Sequence, residues 1–361
     1  MRREIYRADE RHTRALLERA PFVHLATTGE DGRPILRTVH AVVDEGALAF
    51  HGAPAGEKME GLGRVAVASA EEVVASIPSW FLDAERACPA TTYYEAVQAH
   101  GTLRIVSDPT RKARVLSLLM AKFQPEGGHV PIAADHPMYR KAVAGLLVAE
   151  LAIDRIDGKS KLGQNRTVTE RKQVLTHLWR RGAPGDVRAV ALLVARFPEL
   201  GEVEFLAAPE GLHSICHLEG EELDEAARLV DGAYWLTAYG HEDLRSAFAR
   251  SSVRVGMRDE HGRLVAVARA MADDRVAWIY DVLVAPELRG RGVGRALMRL
   301  VLDHPDVRRA RAVRLTTRDA DPFYRTLGFG GLSETPRHPW KSVEMIRFRG
   351  GHEGRSRRAS A

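Results

Sequence analysis

Cysteine is scarce in this chain: only Cys88 and Cys216 stand among its 361 residues, far apart and in no C-x-x-C pair. Two cysteines so far apart provide neither a disulfide framework nor a zinc site, and their scarcity fits a reducing cytoplasm. Long apolar runs are also missing, since none approaches the roughly 18 residues that a membrane helix requires. The first twenty residues are charged throughout, so we expect no secretory signal peptide. We therefore expect a cytoplasmic protein with no membrane partner and no metal.

The charge balance is basic, with 53 lysines and arginines against 48 acidic residues and a sequence pI of about 9.3. A basic balance can indicate nucleic-acid binding, but it also suits phosphate-bearing cofactors. No nucleic-acid motif accompanies the charge, and no helix-turn-helix is convincing. We therefore do not expect nucleic acid as a partner.

The first half of the chain alternates short β-type runs with turn signals, and its length of 361 residues predicts two domains at roughly 100–200 residues each. Asp108 before Pro109 is typical of a helix start and predicts a helix to about residue 123. The strand candidates are residues 22–28, 35–43, 47–51, 65–70, 97–106 and 146–153, after a short helix at 9–20. Regularly spaced short strands with hairpin turns predict a closed antiparallel barrel.

The pattern changes in the second half of the chain. Helical periodicity over residues 167–198, broken at 182–185, predicts a connector between two domains. The next candidates are helices at 221–230 and 241–250, strands at 253–259, 263–271 and 276–284, a helix at 293–304 and a strand at 312–317. This order predicts an α/β unit, and the fold class is therefore α+β. The predicted boundaries are a barrel at 1–180, a helical connector at 181–211, an α/β domain at 212–348 and a disordered tail at 349–361.

A glycine-rich run lies between the strand candidate at 276–284 and the helix that follows it. The run reads Arg289-Gly290-Arg291-Gly292-Val293-Gly294-Arg295. A helix N-terminus offers backbone N–H groups and a favourable dipole to a pyrophosphate, and glycines let the backbone approach it closely. The arginines can add charge-assisted hydrogen bonds. Taken alone, the run could also be a turn without function.

A second motif, Tyr324-x-x-x-Gly328-Phe329, follows downstream. In this order the two motifs resemble the GNAT acetyltransferase superfamily, and particularly a branch of small GNAT proteins. Asp321 stands where that branch has a histidine, so this chain departs from the branch at that position. The resemblance implies a mixed central sheet flanked by helices. It also implies an N-acyltransferase that uses acetyl-CoA to acylate a small-molecule amine.

The resemblance also implies roles for single residues. Backbone groups of Val282, Leu283 and Val284 would bind the pantetheine arm. The loop from Gly290 to Arg295, with Arg289 before it, would hold the pyrophosphate. Tyr324 would be the general acid for the leaving thiolate, although it could instead be a core aromatic. Asp281 is the candidate base or amine anchor, and a structural hydrogen bond is its alternative.

In the N-terminal half, the groups Arg37-Thr38-Val39 and Phe50-His51-Gly52 are followed by Lys58. An arginine on one strand and a lysine after the next can converge on one phosphate, together with backbone donors along a strand edge. The constellation resembles the FMN-binding split barrel of the pyridoxamine 5′-phosphate oxidase-like proteins. The run at 158–166 reads Gly-Lys-Ser-Lys-Leu-Gly-Gln-Asn-Arg and resembles a motif of FMN-binding negative transcriptional regulators. Gln164 in this run is a candidate cofactor-binding residue.

This second resemblance covers residues 10–180 and implies a homodimer. It implies FMN, with haem, a deazaflavin or no ligand as alternatives. Candidate haem ligands are His24, His40, His51 and His100. We therefore predict a bifunctional protein with an N-acetyltransferase domain and an oxidoreductase-like flavin barrel. One alternative is an acetyltransferase whose barrel only senses a ligand or dimerises, and another is a transcriptional regulator.

Overall fold

The computed structural model describes residues 4–331 and residue 334. These residues belong to two compact units, one ending at Arg314 and the other beginning at Leu315. The tail predicted at 349–361 lies outside the described residues.

The first unit begins with an antiparallel sheet in which seven strands follow the order β2-β1-β5-β6-β7-β4-β3. Its strands are β1 (Val23–Thr28), β2 (Pro34–Val39), β3 (Ala41–Asp44), β4 (Ala47–Gly52), β5 (Val65–Ile77), β6 (Thr91–Ile105) and β7 (Leu147–Lys161). Only His40 separates β2 from β3, which stand at the two ends of this order. The two edges must therefore lie close together, so the sheet curls into a barrel that is split between them. The predicted antiparallel split barrel is confirmed.

The single strand predicted at 35–43 is wrong, because it divides at His40 into β2 and β3. Three other strands extend well beyond their predicted bounds. For example, β5 was expected to end at residue 70 and continues to Ile77. Its extension begins with Glu71 and Glu72, and charged residues of this kind conceal the apolar alternation that marks a strand.

Three of the described α-helices belong to the barrel half of the first unit. They are α1 (Glu10–Arg19), α2 (Pro109–Phe123) and α3 (Arg140–Gly145). Leu16 and Leu17 of α1 join the main core with Leu48 and Phe50 of β4. The helix start expected at Asp108 is confirmed, since its carboxylate accepts hydrogen bonds from the backbone N–H groups of the first turn of α2.

Two helices, α4 (Val168–Arg181) and α5 (Asp186–Arg196), occupy the segment predicted as a connector. Thr167 and Glu170 form a capping box at the start of α4, and Gly182 ends it in the left-handed region with φ of 59°. The helix contacts the following domain, because the Trp179 indole N–H donates to Asp303 at 2.7 Å. The domain boundaries predicted from the sequence stay a prediction.

The first unit continues into a second sheet, with the order β12-β11-β10-β9-β8. Its strands are β8 (Leu212–Ile215), β9 (Val253–Asp259), β10 (Leu264–Ala272), β11 (Val276–Val284) and β12 (Ala312–Arg314). Its helices are α6 (Glu222–Val230), α7 (His241–Arg250), α8 (Val293–Asp303) and α9 (Pro305–Arg308). Only the pairing of β11 with β12 is parallel, so the sheet is mixed, as expected.

The second unit contains α10 (Asp321–Arg325). Among the described residues, no helix has both the length and the apolar character needed to span a lipid bilayer.

One buried carboxylate joins the barrel to the α4–α5 segment. Glu95 on β6 is 1% exposed. Its oxygens lie 2.7 Å from His12 Nε2, 3.5 Å from an Arg19 nitrogen and 3.6 Å from an Arg188 nitrogen. Arg188 on α5 also reaches Glu72 of β5 at 3.0 Å. Burial raises the pKa of Glu95, but these cationic neighbours outweigh it and hold that pKa below its usual range.

The hydrogen bond with Glu95 raises the pKa of His12 above its usual value. The paired imidazolium therefore stabilises the fold fully below the unfolded histidine pKa of about 6.5, and this contribution is lost as the pH rises through the higher folded pKa. We expect His12→Gln to lower the free energy of unfolding more at pH 6 than at pH 9. Urea denaturation at both values measures the difference. The exposed His129→Gln should show no such dependence, and an equal penalty at both pH values for His12→Gln would contradict the pairing.

Candidate functional sites

The glycine-rich run forms an open helix N-terminus. Gly290 and Gly292 adopt positive φ values of 74° and 81°, which glycine tolerates and other residues rarely do. Gly292 is the N-cap of α8, and no side chain caps the helix there. The first N–H groups of α8 are therefore available to an anion. A Cβ at either glycine would meet no atom within 4 Å, so open space surrounds the loop.

Exposed arginines surround this helix start. Arg289 donates from Nε to the Val284 carbonyl at 3.1 Å, which fixes its side chain along the loop. Arg289, Arg291 and Arg295 are all exposed. A cleft of about 530 Å³ adjoins the loop. Leu288, Arg291 and Val293 line it from the loop, and Asp259 and Arg263 line it from the β9–β10 turn. The loop thus combines positive charge, backbone donors and space.

The strand before the loop is irregular at Asp281. The pairing of β10 with β11 shifts between Val267↔Leu283 and Arg269↔Tyr280, so two residues of β11 oppose one of β10. This is a β-bulge, and Asp281 adopts a φ of 52° within it. The pairing of β11 with β12 ends at Trp278↔Arg314. Residues 282–284 pair with β10 on one edge. Within the unit that ends at Arg314, no strand pairs with their opposite edge, so their backbone groups on that edge can bind a ligand.

The side chain of Asp281 is buried, with 8% of the residue exposed. One oxygen accepts from Arg269 Nε at 2.5 Å, and the other accepts from the Trp235 indole N–H at 3.3 Å. The Arg269 guanidinium also lies 4.7 Å from the centre of the Tyr280 ring. The sequence identified Asp281 but missed Arg269. A signal existed, because Arg269 is the one charged residue in the otherwise apolar strand β10.

Tyr324 belongs to the second compact unit. It lies on α10, where its ring contacts Phe323 at a centroid distance of 5.1 Å and Phe329 at 5.9 Å. The ring is half-buried. The predicted approach of its hydroxyl to the sulfur of CoA stays a prediction.

In the barrel, the structure brings Arg37 and Lys58 to neighbouring positions. Arg37 of β2 forms an ion pair with Glu57, the residue before Lys58. Lys58 donates to the Ala55 carbonyl at 2.6 Å. A Cβ added at Gly52 would lie 3.2 Å from the Lys58 side chain, so the glycine gives Lys58 its room. The sequence did not identify Glu57, which neutralises Arg37.

The remaining barrel candidates differ in their access to a ligand. Thr38 contacts His24 Nδ1 at 3.3 Å on the exposed side of the sheet, and Val39 packs against the core. His51 is exposed, whereas Phe50 is 2% exposed and its strand is paired on both sides. The Gln164 amide accepts from Leu162 N and donates to the Ser160 carbonyl. Gln164 is thus engaged within its own turn.

The other candidate haem ligands already have neighbours. His100 Nε2 lies 3.3 Å from an Asp157 oxygen but forms no hydrogen bond with it, and the His40 ring lies 4.8 Å from that of Phe123. His24 also faces Glu71 at 3.6 Å.

Cys216 is buried, and burial raises the pKa of its thiol to about 12, so it does not provide a thiolate at neutral pH.

Comparisons with known proteins match both halves of the chain. Residues 9–160 match the family model of pyridoxamine 5′-phosphate oxidase, and residues 214–329 match that of the acetyltransferase (GNAT) family. The chain thus carries a pyridoxamine 5′-phosphate oxidase-like domain followed by a GNAT domain. Both predicted resemblances are confirmed.

Individual relatives match one half at a time. An uncharacterised N-acetyltransferase, ycf52 of Porphyra purpurea, is 30% identical over 117 residues, which are 30% of this chain and 64% of that relative. The chain therefore spans less than two thirds of this relative's length. A GNAT-family acetyltransferase of Streptococcus pneumoniae is 24% identical over 37% of this chain and 99% of that chain, with a TM-score of 0.29. A FAD- and haem-binding protein of Mycobacterium smegmatis is 21% identical over 46% of this chain and 78% of that chain, with a TM-score of 0.36.

The geometry of the loop leads to a first test on acetyl-CoA affinity. Gly294 lies in the first turn of α8 without a positive φ, so Gly294→Val adds a Cβ beside the open N–H groups without straining the backbone. We expect acetyl-CoA affinity, measured by calorimetry, to fall at least tenfold, or about 1.4 kcal/mol. Leu302→Val, near the other end of α8, should leave the affinity unchanged. Wild-type affinity in a folded Gly294→Val protein would exclude the loop as the pyrophosphate site.

Proposed function

We propose that this chain is a bifunctional protein that acetylates a small-molecule amine with acetyl-CoA and binds FMN in an oxidoreductase-like barrel. The GNAT domain supports the acyltransferase activity. The observation that carries the acetyl-CoA part is the uncapped start of α8, with two left-handed glycines and exposed arginines beside it. Next to it, the pairing of β11 with β12 ends at Trp278, and within the unit that ends at Arg314 the residues beyond the bulge at Asp281 pair only with β10, which leaves backbone groups for the pantetheine arm.

In this proposal a neutral amine attacks the thioester carbonyl and forms the new C–N bond. The tetrahedral intermediate then collapses, the C–S bond breaks, and the electron pair leaves with the sulfur. Tyr324 donates its phenolic proton to that sulfur as the negative charge develops. The amine loses its proton to water or to a nearby base. The acetyl group thus moves to nitrogen, and CoA leaves as the thiol.

Asp281 has two open roles in this scheme, as base or anchor for the amine or as a structural group. Both of its oxygens already accept hydrogen bonds, from Arg269 and from Trp235. These contacts favour the structural role, in which Asp281 holds the bulge and orients the Trp235 ring. Trp235 and Tyr280 are 42% and 39% exposed, so they can contact an acceptor beside β11.

The barrel part of the proposal rests on Lys58. Its ammonium donates to a backbone carbonyl and has no carboxylate within ion-pair distance among residues 4–331. Lys58, Thr38 and the backbone near Gly52 would hold the flavin phosphate. A bound flavin would supply hydride or single-electron transfer.

A second candidate function for the barrel is a ligand-sensing or dimerising module without catalysis. Two observations favour it: Arg37 is neutralised by Glu57, and Gln164 is engaged within its own turn. In either case we propose a cytoplasmic homodimer formed through the barrel. Exposed apolar side chains support this pairing, since Leu36 is 61%, Val65 72% and Val73 67% exposed.

The flavin proposal predicts the behaviour of Lys58→Ala. The substitution removes a cation from a dianionic phosphate, and a charged hydrogen bond contributes roughly 1.5–3 kcal/mol. We expect at least a tenfold loss of FMN affinity, measured by flavin fluorescence during titration. The exposed Lys172→Ala is the matched control. If the wild-type protein binds no FMN supplied in excess, the barrel serves as the non-catalytic module instead.

The acyltransfer proposal predicts a kinetic effect of Tyr324→Phe. The variant keeps the ring and its contacts with Phe323 and Phe329 but removes the proton donor. General-acid assistance is typically worth about 10²–10⁴ in rate, so kcat and kcat/KM should fall by that range. Acetyl-CoA affinity should not change, because the loop binds the ground state. A screen of amines by CoA release supplies the acceptor, and Tyr139→Phe in the barrel is the control. Wild-type turnover by Tyr324→Phe would show that the hydroxyl has no catalytic role.

A further inference from the structure

The end of β7 places two lysines on one face of the barrel sheet. Lys159 and Lys161 are two residues apart, so their side chains point to the same side, whereas Ser160 between them faces Glu95 on the other side. Lys161 pairs across the sheet with Tyr94 of β6. The ammonium groups lie 4.9 Å and 5.7 Å from the centre of the Tyr94 ring. Two positive charges therefore share the surroundings of a single phenol.

Neither ammonium is neutralised by a protein carboxylate within residues 4–331. Lys159 donates to the Tyr94 hydroxyl at 2.5 Å, and Lys161 donates to the Thr91 hydroxyl. Both partners are neutral, and both lysines are half-buried. Glu4, an acidic residue of the adjoining segment, is paired with Arg7. Two like charges on one face repel each other, so an anion that bridges them would stabilise this arrangement.

The hydrogen bonds from the two lysines also leave a donor hydrogen on each hydroxyl group. A hydroxyl has one donor hydrogen and two acceptor lone pairs. Because Tyr94 and Thr91 accept from the lysines, each keeps its own hydrogen to donate. The cluster therefore presents two ammonium groups and two O–H donors. This donor set fits the three terminal oxygens and the double negative charge of a phosphate monoester.

We propose that Lys159, Lys161, Tyr94 and Thr91 form an anion site that binds a phosphate monoester. The site is separate from Lys58 within one chain. His51 of β4 pairs with Val148 of β7. Lys159 stands eleven residues further along β7, so the two positions lie near opposite ends of this strand. The phosphate can belong to a small metabolite or to the FMN proposed for the barrel, held in that case by another copy of the chain.

The test uses the full chain, with phenyl phosphate as the probe, and compares wild type with Lys159→Gln/Lys161→Gln. The wild-type protein should broaden the ³¹P resonance of phenyl phosphate, and its thermal midpoint should rise with probe concentration. The double variant should bind at least tenfold more weakly and show no such rise. Because the substitutions remove a repulsion, the ligand-free variant should unfold at or above the wild-type temperature. Lys141→Gln/Lys172→Gln, with two exposed lysines elsewhere, is the charge-matched control.

FMN and riboflavin distinguish the two sources of phosphate. If the double variant loses affinity for both phenyl phosphate and FMN but not for riboflavin, the phosphate is that of the flavin. If it loses phenyl phosphate alone, a separate metabolite is the ligand, and this result stands even if the protein binds no FMN. Equal binding of phenyl phosphate and FMN by wild type and the double variant, or by neither protein, would overturn the proposal.

Discussion

A buried negative charge on the central strands of the barrel organises the way the first unit is assembled. Removing the Glu95 carboxylate from water is costly unless cations surround it. The cations come from α1, through His12 and Arg19, and from α5, through Arg188. Each of these helices must therefore lie against the same end of β6. The position of α5 therefore depends on the charge of Glu95. The path of the chain from α5 into the second sheet depends on it as well.

From Arg188 the network continues toward the acetyltransferase sheet. The Arg188 guanidinium also pairs with Glu219 at 2.9 Å, just beyond β8, and Glu219 lies 3.9 Å from His217. Burial and the neighbouring Arg254 lower the pKa of His217 to about 4, so it stays neutral at physiological pH. A second connection uses hydrogen bonds, because Arg309 donates to the carbonyl of Gly182 at 2.7 Å. The α4–α5 segment is thus bonded both to the barrel and to residues beside the second sheet.

The sequence predicts regular elements well where apolar periodicity is continuous. The bounds of α7, β9 and β11 agree with those expected, since each has a clear amphipathic or buried pattern and a turn at both ends. Periodicity does not reveal where a continuous β-type run changes its partner strand, which is why the division at His40 was missed. In the sites, residues carried by a motif were identified. Their partners Glu57 and Arg269 were not, because an ion pair between distant segments leaves no local pattern.

The bulge at Asp281 shows why such a partner matters to function. A residue other than glycine in the left-handed region is disfavoured by roughly 1–3 kcal/mol, although aspartate tolerates that region better than most. Arg269 and Trp235 hold the Asp281 carboxylate on either side and offset this cost. Because the extra residue turns β11 at this point, Leu283 rather than Val282 shares the core face with Val267. Beyond the bulge, residues 282–284 pair with β10 on one side, and no strand of the unit that ends at Arg314 pairs with them on the other. In the proposed acyltransferase, the ion pair between Arg269 and Asp281 therefore determines how the strand that would bind the pantetheine arm is presented.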